Sequence, residues 1–271
     1  WHSDFYTLCA ASGRSVLTAM SMELVNPPFE VAARYADGDP VLTDMGFGGL
    51  RSTHCAFSSA MQDFHKRVFL ELADLMAAHG LTPELQCGEF TWWYFTNHTA
   101  SNPGGGMAYY DVDTAAAAQS ALGRPLSLFR SPDDDPAVNG GADAAFLRAR
   151  LRDYVEALLA HVRASHPGAK FEVLFPYDVN HPEPAGIHWL GGRLNRFVNL
   201  PPEWGAKVSS GFDRFKVEAL DFGVWSRNLD LARECLEFPL LLGWEPDSVR
   251  AMVGVFRAGY PWRREVEYAK E

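Results

Sequence analysis

Segments typical of β-strands alternate with long segments typical of helices along this chain of 271 residues. Phe57–His79 carries apolar residues at helical spacing and is followed by Gly80, so the pattern predicts a helix. Asp143–His166 has the same pattern. Strands that alternate with such helices run parallel, because each helix returns the chain to the starting edge of the sheet. The predicted strands are Ser15–Leu24, Pro83–Phe90, Lys170–Pro176, Arg196–Leu200, Arg214–Leu220 and Val249–Phe256.

Two folds fit this alternation: an open doubly wound sheet and a (β/α)8 barrel. The open sheet often carries a phosphate-binding G-x-G-x-x-G turn between a strand and a helix, and the sequence has no convincing turn of this kind. Polar residues instead gather at the carboxyl ends of several strands, where barrels assemble their sites. These residues are Glu23, Glu89, Asp178, Asn180, Glu218 and Asp221. The sequence therefore predicts an α/β protein with a TIM-barrel-like (β/α)8 fold.

The predicted strands are fewer than the eight of a complete barrel. Five are clear, and Arg196–Leu200 is a short sixth. The segment Trp1–Ala11 reads as a helix that precedes a strand, as it would if earlier strands came before it. We therefore expect residues 1–271 to form a single barrel-like domain that is incomplete at its N-terminal side and is a fragment of a longer chain.

The charge of the chain limits its partners. With 34 acidic and 24 basic residues, the formal net charge is −10, which argues against nucleic acids and anionic membranes. No apolar run approaches the roughly 20 residues of a membrane span. His181 and His188 do not have the spacing of a metal site, and the four cysteines are far apart. We expect no cofactor and no metal, and a neutral partner such as a carbohydrate.

The stretch CGEFTWWYF, residues 87–95, places one acid among aromatic residues. An apolar setting raises the pKa of a carboxyl group, which suits Glu89 to act as a general acid in glycoside hydrolysis. Aromatic rings stack on the apolar faces of sugars. Asparagine side chains at the rim could bind sugar hydroxyls. The predicted substrate-binding residues here are Trp92, Trp93, Tyr94, Tyr109, Tyr110, Trp189, Asn180 and Asn195.

Glycoside hydrolysis usually needs a second carboxylate. Glu218 is the first choice, Asp178 the second and Glu23 the third, because each follows or ends a predicted strand. Structural alternatives remain open. Glu89 could be a buried acid paired with Arg or His, the aromatic residues could pack beneath a loop, and Glu218 could pair with Lys216 on a polar face of its strand.

With these residues in place, the chain resembles the retaining (β/α)8 glycoside hydrolases. The resemblance implies an acid/base glutamate after the fourth strand and a nucleophile glutamate after the seventh. If Ser15–Leu24 is the third strand, Glu89 ends the fourth, and Glu218 lies on the seventh only if Arg196–Leu200 is the sixth. Gly88 precedes Glu89, where the largest group of these enzymes has an asparagine.

The chain is also similar to hydrolase-like modules of phage tail and bacterial surface proteins. The expected function is hydrolysis of a polysaccharide or oligosaccharide, with Glu89 and Glu218 as the catalytic pair. The alternative is a non-catalytic carbohydrate-binding or structural barrel module of a larger virion or cell-surface assembly, in contact with other subunits. Either function favours an extracellular, cell-surface or virion location.

Overall fold

The structure is a computed structural model. It describes residues 1–43, 52–95, 106–129, 131, 134–136, 138, 140–181, 193–205, 211–218, 222, 229–252, 263, 266 and 267. The predicted site residue Trp189 and the rim residue Asp221 lie outside these residues, and so does the side chain of Tyr94.

Helices and strands alternate along the chain. The helices are α1 (His2–Ala11), α2 (Ser59–Ala78), α3 (Val112–Leu122), α4 (Gly141–Ser165), α5 (Arg193–Asn199) and α6 (Leu229–Leu241). The strands are β1 (Thr18–Ser21), β2 (Glu23–Val25), β3 (Leu42–Thr43), β4 (Ser52–His54), β5 (Glu84–Gly88), β6 (Tyr94–Phe95), β7 (Gly106–Met107), β8 (Lys170–Pro176), β9 (Arg214–Glu218) and β10 (Val249–Met252).

Within the described residues, the main sheet is parallel and has the strand order β1-β5-β8-β9-β10. Its order follows the chain, as expected for strands joined by crossover helices. The predicted strand Ser15–Leu24 divides at the fully buried Met22 into β1 and β2. β2 leaves the main sheet and pairs antiparallel with β4, and β3 pairs with the other edge of β4.

The prediction of a strand at Arg196–Leu200 is wrong, because this segment lies in and just after helix α5. Leu194 and Val198, four residues apart, are both fully buried, which is the spacing of one helix face. The next strand of the sheet after β8 is therefore β9. With Ser15–Leu24 counted as the third strand, Glu218 lies on the sixth strand and not on the seventh.

Helix α2 illustrates why these segments fold as they do. The side chain of Ser58 caps its first turn by accepting a hydrogen bond from the Met61 N–H. Its buried residues recur at helical spacing and pack towards the sheet. Gly80, with a φ of 74°, follows the helix in the left-handed conformation that favours glycine. The buried residues of α2 are Met61, His65, Phe69, Leu72, Ala73 and Met76.

The two faces of the main sheet differ in polarity. One face is apolar and belongs to the core that also contains the buried sides of α2 and α4; its residues include Leu85, Cys87, Phe171, Val173, Phe215 and Val217. On the other face, strand register places Gln86, Glu172 and Arg214 side by side. The Gln86 amide donates to the Glu172 carboxylate. A second polar layer joins Arg214 to Glu84 at 2.5 Å. This second face, which we call the inner face, thus carries polar side chains that pair with one another across the strands.

Candidate functional site

The backbone reverses sharply where β5 ends. Gly88 is tightly packed, because a Cβ atom at this position would lie 3.1 Å from the Met20 carbonyl oxygen of β1. Glu89 follows with a φ of 53°, in the left-handed region that non-glycine residues seldom occupy. The Thr91 N–H donates to the Glu89 carbonyl at 2.8 Å and closes the turn. The left-handed conformation costs about 1–2 kcal/mol for a residue with a Cβ atom.

The Glu89 side chain lies beside two residues that follow from the register of β1 and β5. Ser21 is the register partner of Gly88, and its side chain hydrogen-bonds to the Glu89 carboxyl group. Burial raises the pKa of Glu89, and the negative charge of Glu23 raises it further, whereas the Ser21 hydrogen bond acts in the opposite direction. A raised pKa is the property expected of a general acid.

Glu23 and His54 complete this part of the rim. They are register partners in the β2–β4 pair, and the Ser52 hydroxyl donates to the Glu23 carboxylate. His54 Nε2 lies 3.2 Å from the Thr91 carbonyl oxygen, and burial lowers the pKa of His54 to about 3. We name Ser21, Glu23, Ser52, His54 and Glu89 the rim cluster. Its second carboxylate is Glu23, the third choice from sequence, whereas Ser52 and His54 lie on a strand too short to be recognised.

Glu218 ends β9, two strands from β5 with β8 between them. Adjacent strands are about 4.8 Å apart, so the backbones of β5 and β9 are separated by about 10 Å. The Glu218 carbonyl accepts a hydrogen bond from the Tyr177 N–H at 2.8 Å. Its side chain shares a sheet face with Lys216, which keeps the structural alternative open. The catalytic role of Glu218 stays a prediction.

The loop after β8 is tied to the loop after β5 by buried amide groups. Asn199 accepts a hydrogen bond from the Trp92 N–H at 2.6 Å and donates to the Trp92 carbonyl at 2.8 Å. It also donates to Asn180 Oδ1 at 2.8 Å. The side chain of Asn180 in turn donates to the Pro176 carbonyl at 2.8 Å. Asn199 was missed from sequence because it was assigned to a strand.

Two further predicted polar residues of the rim are also buried. The Asp178 carboxylate accepts a hydrogen bond from the next backbone N–H, that of Val179, at 2.9 Å. Asn195 is buried on α5. These positions suit a role in holding the rim loops, and sugar binding by Asp178, Asn180 and Asn195 stays a prediction.

Among the predicted aromatic residues, Trp92 and Tyr109 are buried in the core. The Trp92 ring packs at 4.6 Å from Phe57 and 5.1 Å from Tyr109, and its Nε1 donates to the Leu147 carbonyl. Their ring faces are therefore covered by protein, which is the packing alternative left open from sequence.

Tyr110 and Trp93 are less deeply buried. The Tyr110 hydroxyl accepts a hydrogen bond from the Phe129 N–H at 2.8 Å. Trp93 contacts His54 edge to face, with ring centroids 5.6 Å apart. Within the described residues, Trp93 is thus a predicted aromatic residue that packs against the rim cluster.

Two absences hold for the part of the chain that the structure describes. There, no group of three or more His, Cys, Asp or Glu side chains could hold a metal ion. No helix in these residues is long and apolar enough to cross a membrane.

The parallel sheet, the crossover helices and the polar rim define an α/β protein of the TIM-barrel class, as the sequence predicts. The chain is similar in structure to the catalytic domain of β-amylase from Paenibacillus polymyxa, with a TM-score of 0.63 and 9% identity over 99% of this chain and 76% of that one. At this identity the likeness shows a shared fold alone. No curated protein matches the chain.

The family model described as "non-contractile tail sheath protein TIM barrel" matches residues 1–254. The chain therefore belongs to the family of TIM-barrel domains of non-contractile tail sheath proteins. This membership confirms the predicted TIM-barrel fold and the predicted similarity to phage tail modules.

Proposed function

We propose that the chain is a structural barrel module of a phage tail sheath, which packs with other subunits in the virion. The family match over residues 1–254 carries this proposal. The interior of the fold supports it, because a rigid building block needs a barrel whose polar groups are satisfied by one another. The pairs Gln86–Glu172 and Glu84–Arg214 provide this on the inner face of the sheet.

The position of the chain in virions tests the structural role. Antibodies against the purified chain would be bound to intact virions and located by gold labelling in the electron microscope. A sheath subunit gives label along the whole tail, with preimmune serum as the control. Label confined to the tail tip or to fibres, or absent from virions that contain the protein by mass spectrometry, would contradict the proposal.

A second candidate function, hydrolysis of a polysaccharide or oligosaccharide, is favoured by the rim cluster. Glu89 combines a raised pKa with a strained left-handed backbone, and strain of this kind concentrates at functional sites. In this candidate, Glu89 protonates the leaving oxygen, and Glu23 or Glu218 attacks the sugar or activates water. In the same candidate, Trp93 contacts the carbohydrate at this rim.

Carboxyl-to-amide variants test the enzymatic candidate. The wild-type chain would be assayed on a panel of bacterial surface polysaccharides by the release of reducing ends. Glu89→Gln is expected to abolish cleavage, since the amide cannot donate a proton as an acid does. Glu23→Gln and Glu218→Gln identify the second carboxylate, and Glu30→Gln at an exposed position is the control. Full activity of Glu89→Gln on a cleaved substrate would eliminate this assignment.

A further inference from the structure

The turn that follows β5 carries both Glu89 and Trp93. We name residues 89–93 the β5 turn. Glu89 has a φ of 53°, and the Thr91 N–H and hydroxyl donate to its carbonyl at 2.8 and 3.4 Å. These bonds within the turn gain little more than the left-handed backbone costs. Contacts from other parts of the chain must therefore hold the β5 turn in this conformation.

His54, on β4, supplies one such contact. Its Nε2 lies 3.2 Å from the Thr91 carbonyl oxygen. A carbonyl only accepts hydrogen bonds, so Nε2 carries the hydrogen and donates it. Burial lowers the pKa of His54 to about 3, so the ring is neutral at neutral pH and its one N–H is committed to Thr91. Both residues are buried, where water competes little for the bond.

The same imidazole ring also contacts Trp93. The two rings pack edge to face, with centroids 5.6 Å apart and an interplanar angle of 75°. On its own strand, His54 is the register partner of Glu23 in the β2–β4 pair. One buried residue therefore connects the turn that carries Glu89, the aromatic residue Trp93 and the strand that carries the second acid.

Asn199 holds the β5 turn at a different point. It bonds to the N–H and the carbonyl of Trp92, as described above. The carbonyl of Thr91 is one residue closer to Glu89, and among the described residues its hydrogen-bond partner is His54. The two contacts are thus separate, and His54 is the one that acts on the Glu89 end of the turn.

We propose that His54 is a positioning residue of the rim cluster, which fixes the β5 turn so that the Glu89 carboxyl group stays beside Glu23 and the Trp93 ring stays at the rim. The inference rests on the hydrolysis proposed above as the second candidate function, because these are the groups that act on the sugar in that candidate. His54 acts through the β5 turn and transfers no proton itself.

The ionisation of Glu89 reports where its carboxyl group lies. Burial raises its pKa, and the negative charge of Glu23 raises it further. Two histidines also lie close by, His54 on β4 and His65 on α2, whose ring centroid is 5.0 Å from that of Phe90. Burial lowers the pKa of His65 to about 4, so both histidines are neutral at neutral pH. A carboxyl group that swings into water loses both causes of the raised pKa.

A matched pair of variants tests the hydrogen bond from His54. Glutamine and methionine side chains have the same length, and the glutamine amide nitrogen is as many bonds from Cα as Nε2 of histidine. His54→Gln therefore keeps a donor for Thr91, whereas His54→Met removes it. The titration of Glu89 would be followed by carbon NMR with isotope-labelled glutamate carboxyl groups, and Glu89→Gln assigns the signal. We expect a raised pKa in the wild type and in His54→Gln, and a fall towards the ordinary glutamate value in His54→Met.

Activity gives a second measurement on any polysaccharide that the wild type cleaves. His54→Gln should retain most of the wild-type kcat, and His54→Met should lose about 100-fold, the effect of misplacing a reacting group by about 1 Å. A general base at position 54 would instead be lost in both variants. A folded His54→Gln that has the wild-type Glu89 titration and no activity would therefore overturn the positioning role.

The controls separate positioning from misfolding. His79→Met removes a histidine that bonds to Ser3 and Thr7, outside the rim cluster, and should leave the Glu89 titration unchanged. If circular dichroism shows that His54→Met is unfolded, His54→Asn replaces it, because its shorter amide does not reach Thr91. An unchanged Glu89 titration in the folded donor-free variant, or an equal fall in His54→Gln, would also overturn the positioning role.

The NMR measurement needs no substrate, so the two ideas fail separately. A chain that cleaves no sugar but shows the expected titrations keeps the role of His54 in holding the β5 turn and loses the hydrolytic function. A chain that cleaves a sugar but shows equal Glu89 titrations in all folded variants keeps the hydrolytic function and loses the role of His54.

Discussion

Asn199 is expected to be one of the most costly polar residues to replace. Its side chain is 1% exposed and makes three hydrogen bonds: it accepts from the Trp92 N–H and donates to the Trp92 carbonyl and to Asn180 Oδ1. Asn199→Ala would leave these three buried groups without partners. At about 1–3 kcal/mol for each unsatisfied group, partly offset by entering water, we expect a loss of about 3–5 kcal/mol in the free energy of unfolding.

Asn199→Asp is the matched variant, because aspartate has nearly the same shape. Its carboxylate can still accept from the Trp92 N–H, but it cannot donate to the two oxygen atoms and places a negative charge beside them. We therefore expect it to destabilise the protein at least as much as alanine does. Urea unfolding followed by circular dichroism measures both changes, with Gln119→Ala on the exposed side of α3 as the control. An Asn199→Asp protein within about 1 kcal/mol of the wild type would refute the hydrogen-bond account, since a typical domain has about 5–15 kcal/mol in total.

Two further predictions concern the rim cluster. Because Glu89 has a φ of 53°, the free energy of unfolding of Glu89→Gly should exceed that of Glu89→Ala by about 1 kcal/mol. Equal free energies of unfolding in urea would show that the backbone is not strained. Burial lowers the pKa of His54 to about 3 in the folded protein, whereas the unfolded chain has the ordinary histidine pKa of about 6.5. As the pH falls below about 6.5, the histidine is therefore protonated first in the unfolded state, and the free energy of unfolding should fall by up to about 1.4 kcal/mol per pH unit. His54→Gln should reduce this slope between pH 6.5 and 5 in urea titrations, and an unchanged slope would mean that His54 is already protonated in the folded protein.

The order of the parallel strands could be predicted from sequence because the helices between them are long. Phe57–His79 and Asp143–His166 each cover several turns, so their apolar spacing is unambiguous, and α2 and α4 occupy these segments. Short segments carry too little pattern. In Arg196–Leu200, three apolar residues fit a strand or a single helical turn equally well, and the burial of Leu194 with Val198 shows a helix.

The rim cluster could be predicted in part. Glu89 and Glu23 each lie at the end of a predicted strand. They lie close together because β1 pairs with β5, and parallel pairing of these two strands is what the sequence predicts. His54 and Ser52 depend on β4, a three-residue strand whose partner strands are separated from it in sequence. The burial of Trp92 likewise depends on Phe57 and Tyr109, which come from distant parts of the chain. Contacts between distant parts of the chain produce no local pattern in the sequence, so they could not be predicted from it.

The backbone conformation of Glu89 helps to distinguish a structural role of the rim from a catalytic one. Glycine would occupy a φ of 53° without the penalty of a Cβ atom, yet the position holds a glutamate whose carboxyl group is partly buried beside another acid. Both features lower stability, so packing alone does not account for the residue. If Glu89 is retained for catalysis at a cost in stability, Glu89→Gly should therefore be more stable than the wild type, provided that the Ser21 hydrogen bond contributes less than the strain. If Glu89→Gly is instead less stable by more than about 1 kcal/mol, the typical net contribution of a hydrogen bond, the Ser21 contact explains the glutamate without any catalysis.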